Sequence, residues 1–218
     1  MGMVLGKICV ETPKYTVIES KADYEIRKYP PSVIAQVTYD PSQFEGNNKN
    51  KEDSRFLVKS KDAGFTLLAK YIGAFGSPQN TRPEKIAMTA PVITKTTPTA
   101  AEKIAMTAPV VTKSSGAGDE KKLVTMQFLL PSTYQKAEDA PKPSDERVVI
   151  VEEGERKYGV VRFGGVATDE VVAEKVEKLK KNLERDGHKV IGDYVLARYN
   201  PPFTLPMFRT NEVMIPIE

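Results

Sequence analysis

Alternating apolar and polar positions predict three strands near the start of the chain. The segments YTVIES at 15–20, YEIRKY at 24–29 and SVIAQVTY at 32–39 are rich in β-branched and aromatic residues. Turn-forming residues at 21–23 separate the first two, and a pair of prolines separates the second from the third. This pattern indicates an edge hairpin followed by a longer strand.

Apolar residues at helical spacing predict a helix after the polar stretch at 40–54. Intervals of three, four and three residues place four side chains on one face, and a glycine at 73 or 76 is expected to end the helix. The four residues are Phe65, Leu68, Ile72 and Phe75.

The second half of the chain repeats the same kind of pattern. Residues 147–163 predict two strands around a turn at Glu153 and Gly154, and 190–199 and 211–217 predict two closing strands. Between them, Thr168 is placed to cap a helix that ends at Gly187. Its buried stripe is Val172, Val176, Leu179 and Leu183.

Each half therefore predicts strand, strand, helix, strand, strand, which indicates two similar ββαββ modules in one α+β domain. We expect the connector at 132–146 to be flexible, although it is too short to separate two domains. One segment is duplicated: EKIAMTAPVITK at 84–95 recurs as EKIAMTAPVVTK at 102–113. Two copies are too few for a solenoid, so either one copy occupies the structural position or the two form a hairpin around the connector TTPTA; we favour the first copy in that position.

Composition narrows the class of protein. The chain has 218 residues, of which 40% are hydrophobic and 28% charged, and its formal net charge is +3. So small a net charge predicts no general attraction to nucleic acid, and no apolar run is long enough to span a bilayer. Cys9 is the only cysteine, which excludes an intrachain disulfide and makes the cytoplasm the expected location.

Several segments, taken together, resemble the SOUL or haem-binding-protein family, in a cytosolic member of the plant type. They are YEIRKYPPSVIAQV, AKYIG, KIAMTAPV, LVTMQFLLP, YGVVRFGG and YNPPFTLPMFRTNEVMI, and they run from about residue 15 to 217. We therefore expect an N-terminal extension at 1–14 and a single domain at 15–218. The resemblance implies a distorted antiparallel β-barrel flanked by two α-helices, and non-covalent binding of haem or metal-free porphyrin.

The sequence contains few side chains that are placed to ligate a haem iron. His188 is the only histidine, and its position at the predicted exit of the second helix favours a solvated role. Met88 and Met106 are expected to fill the core, as methionines in half-buried strands usually do. Tyr71 is interpreted as a pocket wall rather than a ligand. The sequence thus predicts a carrier without a histidine ligand to the iron.

The remaining possibility is a surface site in which porphyrin lies on apolar side chains and its propionates meet basic ones. The predicted helix and the proline-rich loop near the C-terminus supply such residues, but the same helix face also has to pack on the sheet. Both uses stay open for it. The candidates are Phe65, Leu68, Ala69, Lys70, Ile72, Phe203, Met207 and Arg209.

Catalysis finds little support in the sequence. There is no zinc-type cluster, phosphate-binding glycine loop or nucleophile elbow, and the acids Glu152 and Glu153 are expected to be solvated. We predict a soluble, monomeric carrier of modest, exchangeable affinity that is not an enzyme. Two alternatives remain. One is an interaction protein that kept the fold without binding haem. The other is a small-molecule sensor, which should be fused to a DNA-binding region, or a minor hydrolase, which would need a buried carboxylate or tyrosine in the barrel mouth.

Overall fold

A computed structural model of the protein describes residues 5–40, 63–98, 122–201 and 203–218. Two helices lie in these ranges, α1 at Ala63–Ile72 and α2 at Asp169–Arg185. The strands are β1 Thr16–Ser20, β2 Glu25–Tyr29, β3 Ser32–Tyr39, β4 Val92–Pro98, β5 Lys122–Leu129, β6 Val148–Glu153, β7 Arg156–Gly164, β8 Val195–Arg198 and β9 Thr210–Ile217. None of the helices in these ranges is both long and apolar enough to cross a bilayer.

All the strands form one antiparallel sheet in the order β1-β2-β7-β9-β8-β4-β5-β3-β6. The two modules are β2β3α1β4β5 and β6β7α2β8β9, and β4 pairs with β8 at the centre of the sheet. Each module gives its first strand to the other, because β2 pairs with β7 and β6 pairs with β3. This exchange joins the modules in one continuous sheet, with β1 added at one edge.

The sheet curls into a half-barrel, and both helices pack on the same face. Helix α1 covers β3, β5 and β6, whereas α2 covers β7 and β9. The predicted α+β fold of two similar modules with two flanking helices is confirmed. Among the described strands the barrel stays open, with β1 and β6 at the two edges of the sheet.

Helix α2 follows its sequence pattern closely. Thr168 Oγ1 accepts a hydrogen bond from the N–H of Val171, which caps the helix, and Gly187 follows the end with a φ of 82°. Glycine adopts this left-handed conformation without strain. The four predicted stripe residues are all buried, and they pack against the sheet in a cluster with Tyr24 and Ile26.

Helix α1 is shorter than its apolar pattern. It ends at Ile72, and Gly73 follows with a φ of 78°. Phe65, Leu68 and Ile72 lie on the helix, but Phe75 lies beyond it and is 60% exposed. The prediction that Phe75 belongs to the helical stripe is therefore wrong, because the glycine stops the helix before that position.

The first copy of the duplicated segment leads into β4 in the middle of the sheet. The second copy lies outside the described residues, and so does the polar stretch after Asp40. The connector at 132–146, expected to be flexible, is packed. Pro141 is buried, and its carbonyl oxygen accepts a hydrogen bond of 2.8 Å from the hydroxyl of Tyr71. That bond ties the connector to α1.

Candidate functional site

The loop between β8 and β9 exposes a group of large apolar side chains. Four of its residues expose between 40% and 77% of their surface to solvent: Phe203, Leu205, Met207 and Phe208. We call these four side chains the apolar loop patch. Exposed apolar residues are common singly, but such a concentration within six residues is typical of a ligand or partner site.

Hydrogen bonds hold the loop in shape. Arg209 Nε donates to the carbonyl oxygen of Thr204 at 2.8 Å, and the N–H of Thr210 donates to Asn200 Oδ1 at 2.7 Å. Asn200 Nδ2 donates in turn to the carbonyl oxygen of Gly6 at 3.2 Å. Gly6 lies against the backbone of Phe208 so closely that a Cβ there would collide with it. The N-terminal segment thus supports the patch.

The helix residues predicted for the site divide into two groups. Leu68, Ala69 and Ile72 lie in the core with 0–3% exposure, which supports the packing role that the sequence left open for this face. Phe65 is partly buried, with its ring centroid 5.4 Å from that of Phe128. Lys70 is exposed. Of the predicted helix residues, only Phe65 and Lys70 therefore present accessible surface to a ligand.

The part of the sheet under Phe65 of α1 and the start of the β8–β9 loop lie at the same end of the sheet. Phe128 on β5, against which α1 packs, pairs with Val92 on β4, and Val92 pairs with Arg198 at the end of β8. The loop begins directly after Arg198. Two strand spacings, about 10 Å, therefore separate the part of the sheet under α1 from the start of the loop.

His188 lies far from this end of the sheet. It follows α2, and its Nε2 is 3.3 Å from Glu19 Oε2 on β1, the edge strand opposite the β3–β6 side that α1 covers. Its ring stands edge-on to that of Tyr24. Within the described part of the chain, no three histidine, cysteine or acidic side chains are grouped as a metal site would require.

The other candidate ligands are placed as follows. Tyr71 is buried in the core, where burial raises the pKa of its hydroxyl and so disfavours the phenolate that iron would need. Met88 is 40% exposed, so the expectation that it fills the core is wrong. The reason is that it lies in an irregular segment before β4 rather than in the strand. Met106 lies outside the described residues.

The face of the sheet opposite both helices carries a buried ion pair. Arg27 Nη1 lies 2.9 Å from Glu212 Oε1, and both side chains are at most 5% exposed. The hydroxyl of Tyr199 donates to Glu212 Oε2 at 2.7 Å, and the guanidinium of Arg27 lies 4.3 Å from the ring centroid of Tyr15. Burial opposes the charge of Arg27, but Tyr29 and Glu212 together raise its pKa. Arg27 therefore keeps its positive charge beside Glu212.

A second charged group lies on the same face. Glu153 contacts Arg156 and Lys95, with 3.2 Å between Lys95 Nζ and Glu153 Oε1, and its side chain is only 16% exposed. The expectation that Glu153 is solvated is therefore wrong, although Glu152 is exposed as expected. The curl of the sheet brings β4, β6 and β7 together around this carboxylate. Glu153 and Arg156 are only three residues apart in the chain, but Lys95 lies on a strand distant in sequence, so no local pattern predicts the whole group.

Sequence comparison relates the chain to one family. A family model described as SOUL heme-binding protein matches residues 10–103 and again residues 95–216. The two matches meet at the duplicated segment, and each contains one of its copies. No curated protein matches the chain in sequence at a significant level.

The chain is similar to solved structures at low sequence identity. An uncharacterized conserved protein from Listeria innocua is 12% identical, with a TM-score of 0.52 over 91% of this chain and 93% of its own. A hydrolase from Listeria innocua is 11% identical, with a TM-score of 0.49 over 92% of this chain and 94% of its own. Identities this low concern the fold alone and say nothing about activity.

Proposed function

This chain belongs to the SOUL heme-binding protein family, and from that premise we propose that it is a carrier of haem and related tetrapyrroles. It binds them non-covalently, with moderate affinity, and releases them to other proteins. We propose further that it acts as a monomer in the cytoplasm, with no nucleic-acid partner and no catalytic role. The small net charge of +3 supports the absence of a general attraction to nucleic acid.

The apolar loop patch is the observation that carries this proposal. Porphyrin is a flat, largely apolar ring, and the exposed side chains of Phe203 and Met207 offer it a matching surface. Phe65 extends that surface on the α1 side. Lys70 on α1 and Arg209 at the end of the loop supply basic side chains for the propionates, since such side chains form charge-assisted hydrogen bonds with carboxylates. Leu68, Ala69 and Ile72 hold α1 in position beneath.

The free energy available from burying porphyrin on such a surface supports an exchangeable affinity. Burying on the order of 300 Å² of porphyrin at about 25 cal/mol per Å² contributes roughly 7 kcal/mol. Micromolar binding needs about 8 kcal/mol net, and association itself costs several kcal/mol in lost freedom. Ion pairs and dispersion must therefore supply the remainder, so a surface site of this kind is suited to buffering or transfer rather than to permanent retention.

The iron, on this proposal, receives no histidine ligand. His188 contacts Glu19 and Tyr24 at the edge of the sheet away from α1, and Tyr71 donates its hydroxyl hydrogen to Pro141. Porphyrin then binds through its faces and its carboxylates, which do not depend on the metal. A carrier of this type accepts haem and the metal-free ring alike.

We expect haemin and protoporphyrin IX to bind the purified protein with dissociation constants within about tenfold of each other, because no strong ligand to the iron distinguishes them. Titration followed at the Soret band measures both. His188→Ala is expected to leave the haemin constant and spectrum unchanged. Strong preference for haemin together with a six-coordinate spectrum that His188→Ala abolishes would show that histidine holds the iron.

The apolar loop patch also supports one other function, docking of a protein partner. A chain that kept the fold without binding tetrapyrroles would show no saturable Soret change with either haemin or protoporphyrin IX. The same titration therefore distinguishes a carrier from an interaction protein.

A further inference from the structure

The face of the sheet opposite both helices contains a cleft that the proposed porphyrin site does not use. Its outer chamber has a volume of about 420 Å³, within the range of small-molecule pockets, and a narrow extension leads inward past Gln127. Apolar and aromatic groups form part of the wall, and charged groups form the rest. The wall includes Tyr158, Val195, Pro216, Lys95, Glu153 and Arg156.

Two cations in this wall share one carboxylate. Lys95 and Arg156 both contact Glu153, and their side chains are only 33% and 22% exposed. Burial lowers the pKa of the Lys95 ammonium, and the positive charge of Arg156 lowers it further. Each cation therefore lacks full compensation. A second negative charge placed between them would be stabilised by both, because partly buried charges interact strongly.

The cleft also contains two polar atoms that lack a protein partner. Arg156 Nε, a donor, and Gln127 Oε1, an acceptor, are buried without a hydrogen bond to any described residue. Gln127 is 2% exposed, and its Nε2 already donates to Gln36 Oε1 at 3.0 Å and to Glu153 Oε1 at 3.4 Å, which fixes the orientation of its amide. Both residues line the cleft. Buried polar atoms without partners are rare in folded proteins and indicate a missing contact.

We propose that this cleft is a second ligand site, which binds a small organic hydroxy acid with an aromatic or apolar body. The carboxylate lies between Lys95 and Arg156 and accepts from the Nε–H of Arg156. The hydroxyl donates to Gln127 Oε1, and the body rests against Tyr158 and Val195. The site goes beyond the proposed carrier function, because it lies on the face of the sheet that α1 does not cover.

The test uses mandelate, an aromatic hydroxy acid, with two matched probes. Phenylacetate lacks the hydroxyl, and mandelamide lacks the charge. Titration of the full chain, followed by NMR or calorimetry, is expected to give saturable one-to-one binding of mandelate. Mandelamide should bind at least about tenfold more weakly, because it loses a charge-assisted contact. Phenylacetate should fall between the two.

Substitutions of cleft residues test whether mandelate binds in the cleft. Lys95→Gln should weaken mandelate about tenfold, and so should Arg156→Lys, which keeps the charge but removes Nε–H. Lys157→Gln is the matched control, since Lys157 follows Arg156 on β7 and faces away from the cleft. Circular dichroism checks that each variant is folded. Lack of saturable mandelate binding, or equal binding by folded Lys95→Gln, would overturn the proposal.

Haemin separates this site from the carrier function. The same variants are expected to bind haemin as the unaltered protein does, and mandelate should not compete with haemin. If Lys95→Gln weakened both ligands and mandelate displaced haemin, the cleft would be the tetrapyrrole site and the inference of a second site would fail. The carrier function would then survive at a new location.

Discussion

Arg27→Met is expected to lower the free energy of unfolding by about 3–5 kcal/mol, the cost of leaving a buried charge without its partner. The Glu212 carboxylate is 3% exposed and accepts from Arg27 Nη1 at 2.9 Å. Methionine fills much of the same space but donates no hydrogen bond. Since a domain of this size is stable by only about 5–15 kcal/mol in total, the loss should be plain in urea unfolding followed by circular dichroism.

A second variant distinguishes the loss of stability caused by the unpaired charge from the loss caused by poorer packing. Arg27→Met/Glu212→Gln removes both charges but keeps an acceptor for the Tyr199 hydroxyl, so it should recover at least half of the loss. Lys28→Met is the matched control, because Lys28 pairs with Glu155 on the surface, with side chains 44% and 55% exposed. Its effect should stay below about 1 kcal/mol. A double variant no more stable than Arg27→Met would contradict the argument from charge.

Leu68→Ala is expected to cost about 2–5 kcal/mol of stability while leaving haemin affinity unchanged. Leu68 is fully buried between α1 and the sheet, and its truncation opens a cavity that the surrounding core fills only in part. Because the side chain has no exposed surface, it is not available to a porphyrin. Urea unfolding measures the first effect, and a Soret titration of the folded variant measures the second.

Leu179→Ala provides the control for Leu68→Ala. Leu179 is 2% exposed under α2, so its truncation should destabilise the protein comparably without touching the proposed porphyrin site. If folded Leu68→Ala lost haemin affinity about tenfold while Leu179→Ala did not, the face of α1 would open to admit the ligand. The alternative in which Leu68 forms part of the porphyrin floor would then be correct.

Sequence periodicity predicted the helices and most strands because each of these signals is local. The cap at Thr168, the end at Gly187 and the buried stripe of α2 all follow from residue types within one segment. Strand β3 was predicted at 32–39, where it lies. Phe75 shows the limit of the method: its spacing continues the α1 stripe, but Gly73 ends the helix first.

The exchange of strands between the modules could not be predicted in the same way. Nothing within residues 25–29 specifies pairing with β7 instead of β3, since register depends on the assembled sheet. The cleft depends on that assembly, because Lys95 meets Glu153 and Arg156 only once the sheet curls. Phe203 and Met207 of the apolar loop patch were candidates for a surface site because they are apolar residues of a proline-rich loop, and the structure adds Leu205 and Phe208 as exposed neighbours.

The most direct test of the carrier proposal is a haemin titration of Phe203→Ser/Met207→Ser beside the unaltered protein. The control is Val149→Ser/Ile191→Ser, which removes two apolar side chains that are 49% and 57% exposed elsewhere on the surface. We predict that the control binds haemin normally and that the loop variant binds at least about tenfold more weakly, since it loses more than 1.4 kcal/mol of apolar contact. Equal haemin affinity in all three folded proteins would contradict the proposal that the apolar loop patch holds the ligand.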